Sequence, residues 1–166
     1  MDVRSKFLST DCSFRVTVSA DYGEMIYTFV MDCRGSKEGD VSFTVVAPDT
    51  ISGITGTLTG EGGFLTFDQE ALAFELLADG QIGPVSAPWV LLNTLRSGYL
   101  RYTEETELGL RLTIDDSFRE EPLQVEVWLE GEILTGAEIC WQGRRILTLR
   151  IEAFDFVEQN DDSGIG

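Results

Sequence analysis

Residues 86–98, SAPWVLLNTLRSG, form the one segment of this chain whose periodicity is helical. Ser86 suits an N-cap, Pro88 the first turn and Gly98 a C-cap. Val85 and Val90 have the spacing of a hydrophobic staple. Trp89, Val90, Leu91, Leu92 and Leu95 cover more than half of the helix circumference, which predicts a buried helix rather than a surface one. Everything around it alternates with a period of two. One apolar helix among many antiparallel strands predicts an α+β fold, mostly β: a curved antiparallel half-barrel of about ten strands with a helix covering its open side.

The flanking strands follow from alternation. Segments 13–19 (SFRVTVS) and 26–33 (IYTFVMDC) read as a hairpin. A two-residue loop at Tyr22-Gly23 sets Phe14 opposite Met31, Val16 opposite Phe29 and Val18 opposite Tyr27 on one face. Ser13 and Asp32, and Thr17 and Thr28, then pair on the other. In that register Cys12 lies directly opposite Cys33. Two readings stay open there: a cross-strand disulfide, which would place the protein in an oxidising compartment, or two small buried thiols. Cys140 reads as a small packed hydrophobe.

Val41, Phe43 and Val45 share a face in the third strand. The glycines at 53, 56, 60, 62 and 63 have no adjacent lysine or following helix, so they mark turns and strand bends rather than a phosphate loop. Segments 64–67 and 71–77 form a further hairpin, and 78–85 delivers the helix. Strands resume at 99–103, at 108–114 with Leu108, Leu110, Leu112 and Ile114 inward, and at 123–129 with Leu123, Val125, Val127 and Leu129 inward. The last hairpin joins 137–141 to 145–157. Its final strand changes parity between Ile151 and Phe154, which calls for a β-bulge near Ala153. Residues 1–157 read as a single domain and 158–166 (EQNDDSGIG) as an acidic flexible tail.

Composition excludes several functions. The 166 residues carry 12 Lys+Arg against 29 Asp+Glu, a net charge of -17. Such a surface repels nucleic acid and anionic lipid headgroups. There is no histidine, which removes histidine-based triads and histidine-ligated zinc. Neither Lys6 nor Lys37 sits in an apolar neighbourhood that would activate an amine. Acidic clusters at 104–107, 115–116, 120–121 and 161–162 fall at strand ends and turns without calcium-loop spacing. Arg15, Arg101, Arg111 and Arg150 lie on the polar strand faces, placed to reach water or cross-strand acids. The expectation is no enzyme, no metal and no cofactor. No apolar run is long enough to span a membrane, and Met1 leads into a mixed polar segment rather than a signal peptide.

The order of elements and three short motifs carry a resemblance. The stretches VSFTVVAPDTISGITGTL (41–58), LTFDQEALAFEL (65–76) and ILTLRIEAFDF (146–156), with the Ser86-x-Pro88 helix start, resemble the LolA-like lipoprotein family. The likeness extends to extracytoplasmic lipoproteins of spore-forming Gram-positive bacteria, including the germination lipoproteins. It implies an incomplete barrel whose enclosed surface, in LolA itself, carries lipoprotein acyl chains, and it brings no catalytic residues. It also implies an extracytoplasmic protein, membrane-anchored through a lipidated N-terminus that this chain lacks.

Two functions follow as expectations. In one, the protein is a non-enzymatic binding protein that holds an acyl chain or lipid in a hydrophobic cleft lined by Trp89, Leu92, Leu95, Phe43, Phe64, Leu112 and Val127. In the other, those residues form a solid core, and the protein is an interaction module that docks a cell-envelope or spore cell-wall enzyme.

Overall fold

A computed structural model of the chain describes residues 3–58, 65–67, 83–117 and 122–157. Alternation along β1 (Asp11–Asp21) buries Cys12, Phe14, Val16, Val18 and Ala20 on one face and leaves the other to Arg15, Thr17 and Ser19. The further strands are β2 (Ile26–Gly35), β3 (Val41–Ala47), β4 (Thr55–Leu58), β5 (Leu65–Phe67), β6 (Tyr99–Thr106), β7 (Gly109–Asp115), β8 (Leu123–Glu130), β9 (Ile133–Trp141) and β10 (Arg144–Val157), with burial alternating in the same way along β3, β4 and β8. All pair antiparallel in one open sheet, ordered β5-β4-β3-β2-β1-β10-β9-β8-β7-β6. The chain thus starts in the middle, meanders to one edge at β5, crosses to the opposite edge at β6 and meanders back. The crossing carries a 3₁₀ turn (Pro84–Ser86) and the helix α2 (Ala87–Ser97); a second helix, α1 (Val3–Ser9), precedes β1.

The sheet curls around α2, and two contacts require it. Leu92 lies against Gly35 in β2, whereas Gly98, just past the helix, lies against Ile114 in β7. Those strands are five positions apart, about 24 Å across a flat sheet. Leu92 and Gly98 are separated by only about 9 Å of helix rise. β-Bulges supply the bending: five of the nine strand pairings contain a register shift. One is the bulge expected near Ala153. Ser13 pairs with Asp155 and Arg15 with Glu152, and Ala153 takes the left-handed φ of 53°. The extra residue turns Phe154 and Phe156 to the face of Leu147, Leu149 and Ile151, so all five pack with the core.

The first hairpin differs from the sequence reading by two residues. Phe14 pairs with Cys33, Val16 with Met31, Val18 with Phe29 and Ala20 with Tyr27. The connection is four residues long, closed by the Tyr22 amide donating to the Met25 carbonyl (3.0 Å), with Gly23 at φ 90°. Arg15 faces Asp32 directly instead of diagonally, with Nε 2.7 Å from the carboxylate. The register also moves Cys12 opposite Gly35. Cys12 and Cys33 are free, buried thiols, and the cross-strand disulfide is not formed.

The helix begins and ends where the sequence placed it, between Ser86 and Gly98, but the two caps work differently from the expectation. Ser86 holds the N-cap position but makes no side-chain cap bond; it ends the 3₁₀ turn, with its hydroxyl donating to the Gly83 carbonyl (2.7 Å). Gly98 is the C-cap, its amide donating to the Thr94 carbonyl, but it is extended (φ -73°, ψ 174°) rather than left-handed. A side chain there would meet the Thr94 carbonyl at 2.6 Å and Ile114 at 2.7 Å, so close approach is what demands glycine. Leu108, expected inward, is 81% exposed at the β6–β7 turn, and Leu110 is only partly buried. The segment 71–77, the residues 78–82, Phe64 and the acidic tail at 158–166 lie outside the described residues.

Candidate functional site

The concave face is where five of the seven expected cleft residues meet. Leu92 and Leu95 of α2 join Phe43 of β3, Leu112 of β7 and Val127 of β8 in one apolar cluster, each at most 3% exposed. Exposure that low leaves no water-sized space against these side chains. In this conformation the concave side is therefore filled where it is described. Trp89 is partly buried at the rim of the cluster, and its Nε1 donates to the Gly39 carbonyl in the β2–β3 loop (3.1 Å).

The helices form a layer of their own. They take no part in the strand ladder, and an exchange of arginines ties them together. From α1, Arg4 donates through Nε to the Leu95 carbonyl (2.7 Å) and through Nη2 to the Gly98 carbonyl (2.8 Å), capping the C-terminal end of α2 with a cation. From α2, Arg96 returns a bond through Nε to the Phe7 carbonyl (2.9 Å). Phe7 is fully buried, with its ring 5.8 Å from Phe154 and 5.2 Å from Phe156, and Lys6 sits over the Phe156 ring at 5.4 Å. Sequence reasoning missed α1 because seven residues are too few to give a periodic signal, and so short a helix is stable only when docked.

Arg96 is the outlier of the site. It is 7% exposed, and neither Nη1 nor Nη2 has a hydrogen-bond partner among the described residues. Burial draws its pKa below the ordinary value, opposed by the nearby Cys12 and Asp11. Leaving donors of a buried charged group unsatisfied costs more than the roughly 1–3 kcal/mol of a neutral one. The adjacent Cys12 thiol cannot offset that charge at neutral pH, because burial pushes it up to about 11. Burial raises Cys33 as well, and Cys140 on β9 is raised mainly by the same effect.

The outer face is polar and ion-paired. Besides Arg15 and Asp32, Arg111 reaches Glu126 (2.6 Å) and Glu104 (3.6 Å) and lies over Trp128, while Arg145 meets Glu138 (3.0 Å) and Arg101 meets Asp115 (3.2 Å). Arg150 is 3.7 Å from Glu152. The strand arginines thus reach acids as their polar-face positions predicted. Among the described residues no group of three or more Cys, Asp or Glu side chains converges as a metal site would require. No described helix is long and apolar enough to cross a membrane.

No family model matches this chain, and no curated protein does. Solved structures do resemble it. A conserved protein from Thermus thermophilus aligns with 98% of this chain and 88% of its own at 11% identity and a TM-score of 0.51. The two share a fold. Looser overlaps are found with a LolA superfamily protein from Nitrosomonas europaea (8% identity, 97% and 94% of the two chains, TM-score 0.47). A DUF1329 family protein from Desulfovibrio piger overlaps at 8% identity, 97% and 93% coverage and a TM-score of 0.41.

Proposed function

We propose that the protein is a non-enzymatic, extracytoplasmic binding protein of the LolA-like kind, which takes an acyl chain or lipid between its sheet and its helix layer. In its full-length form it is anchored to the membrane by an N-terminal lipid. The observation that carries this reading is the separability of the layers. An almost wholly apolar concave face is covered by helices that, among the described residues, share none of its backbone hydrogen bonds and are held to it by side-chain packing and a few polar contacts. Displacing those helices exposes a long apolar trough without breaking a strand pair. Because Leu92, Leu95, Phe43, Leu112 and Val127 are sealed, uptake of a chain requires the helices to move.

Native mass spectrometry of protein purified from cells tests the reading: an acyl species of defined mass should accompany the chain, and added fatty acid should shift Trp89 emission. Protein that is consistently empty and blind to fatty-acid probes refutes it. The same sealing favours a second reading, a solid-cored interaction module for an envelope or spore cell-wall enzyme. Its exposed edge strand β6 presents Tyr99, Leu100 and Tyr102. Trp89 emission indifferent to every lipid, together with a large penalty for Leu92→Ala, would favour that alternative.

A further inference from the structure

Among the described residues, Arg96 is buried and charged with one of its five N–H donors engaged. What engages it is a main-chain carbonyl of α1, and the residue that supplies this carbonyl also supplies the ring packed against Phe154 and Phe156. Phe7 is thus an oxygen acceptor followed by an apolar body, with the acceptor on a guanidinium and the body on an aromatic wall. A fatty acid has the same order of parts, with a full negative charge in place of a carbonyl dipole.

We propose that Arg96 is the anion-binding end of a ligand site that α1 plugs in this conformation. The ligand is a monoanionic amphiphile of the fatty-acid class, with its carboxylate on the Arg96 fork and its chain in the place of Phe7. The proposal rests on the acyl-binding reading above and assigns the headgroup and the element displaced. A carboxylate matches the planar fork and satisfies the idle donors. A single guanidinium, with Asp11 nearby and a surface of net charge -17, compensates one negative charge and disfavours a phosphate dianion. The plug is loosely built. α1 spans seven residues, with Ser5, Leu8 and Ser9 exposed, and Phe7 and the arginine bonds dock it. Once α1 leaves, Arg96 loses its last bond, so the open form gains most from an anion.

Calorimetric titration of the whole chain with dodecanoate and with methyl dodecanoate, below their aggregation limits, tests this directly. Wild type should prefer the acid over the ester by about tenfold, since only the acid offers a charged acceptor. Arg96→Gln should abolish that preference. Arg4→Gln removes two of the three arginine bonds between α1 and the C-terminal end of α2 and, at a partly exposed position, spares the core; it should tighten dodecanoate several-fold. Equal affinity for acid and ester, a preference that survives in Arg96→Gln, or an affinity unmoved by Arg4→Gln would overturn the assignment and leave acyl binding standing. Failure of both probes to bind any form would overturn the acyl-binding reading together with it. If Arg96→Gln does not fold, the wild-type preference and the Arg4→Gln response decide the matter.

Discussion

Leu92 and Gly35 form a pair whose energetics the packing dictates. Leu92 is fully buried, and a Cβ built on Gly35 would lie 2.5 Å from its Cδ1 and 3.1 Å from Cys12 Sγ. Truncating Leu92 to alanine removes about three carbon groups, worth about 2.4 kcal/mol of transfer free energy. A residual cavity of about 60 Å³ adds about 1.4 kcal/mol at the usual rate per volume. The expected loss is therefore about 4 kcal/mol. Gly35→Ala alone forces a methyl group into the same spot and should cost about 1–3 kcal/mol as overpacking. In the double variant the new methyl occupies part of the space that Leu92 vacated. The combined loss should fall short of the sum by about 1–2 kcal/mol. Urea unfolding followed by tryptophan fluorescence, with the m-value checked for constancy, measures all four corners of the cycle. Additive losses, or a Leu92→Ala penalty under about 1.5 kcal/mol, would show that α2 does not press into β2 as described and that the concave side is hollow there.

Two further predictions concern the cysteines. Thiol titration of denatured, unreduced protein should find Cys12, Cys33 and Cys140 all free, and in the native state the half-buried Cys140 should react ahead of the other two; a single free thiol would reinstate the Cys12–Cys33 bridge and with it a shifted register. Because the native Cys12 thiol keeps its proton up to about pH 11, raising the pH favours the unfolded chain: stability is intact below about pH 9 and falls by at most about 3 kcal/mol as pH rises towards 11. Cys12→Ala lacks this term, so the gap between its urea midpoint and that of wild type should narrow between about pH 8 and about pH 10.5, and a gap independent of pH would refute the assignment.

What the sequence makes legible is set by which physical signals are periodic. The faces of β1, β3 and β8 follow from alternation alone, and the bulge at Ala153 in β10 follows from its failure, since Phe154 and Phe156 reach the core only if one residue is looped out. The apolar circumference of α2 likewise announces a buried helix. Register is different. Sliding β2 by two residues along β1 keeps every apolar side chain on the same face, so hydrophobic pattern cannot choose between the two pairings. The turn chooses. The Tyr22–Met25 bond closes a four-residue loop, Arg15 gains Asp32 as a direct partner, and Cys12 loses Cys33.

The apolar cluster was legible in five of its members and not in its state. Leu92, Leu95, Phe43, Leu112 and Val127 converge because each belongs to an inward-facing set, but periodicity says nothing about whether such a set encloses space. That is decided by the reach of individual side chains, as where Gly35 exists so that Leu92 can approach β2 and Gly98 so that α2 can end against Ile114. The reciprocal caps of Arg4 and Arg96 were hidden for a related reason. Each joins residues about ninety positions apart, 4 to 95 and 98, and 96 to 7, on helices whose own sequences give no reason to meet. Only when the sheet curls far enough to bring β2 and β7 to opposite sides of α2 does the N-terminal segment find a place to dock. The curvature that seals the concave face thus also leaves the Arg96 fork buried with idle donors, and any chain that enters must contend with that charge.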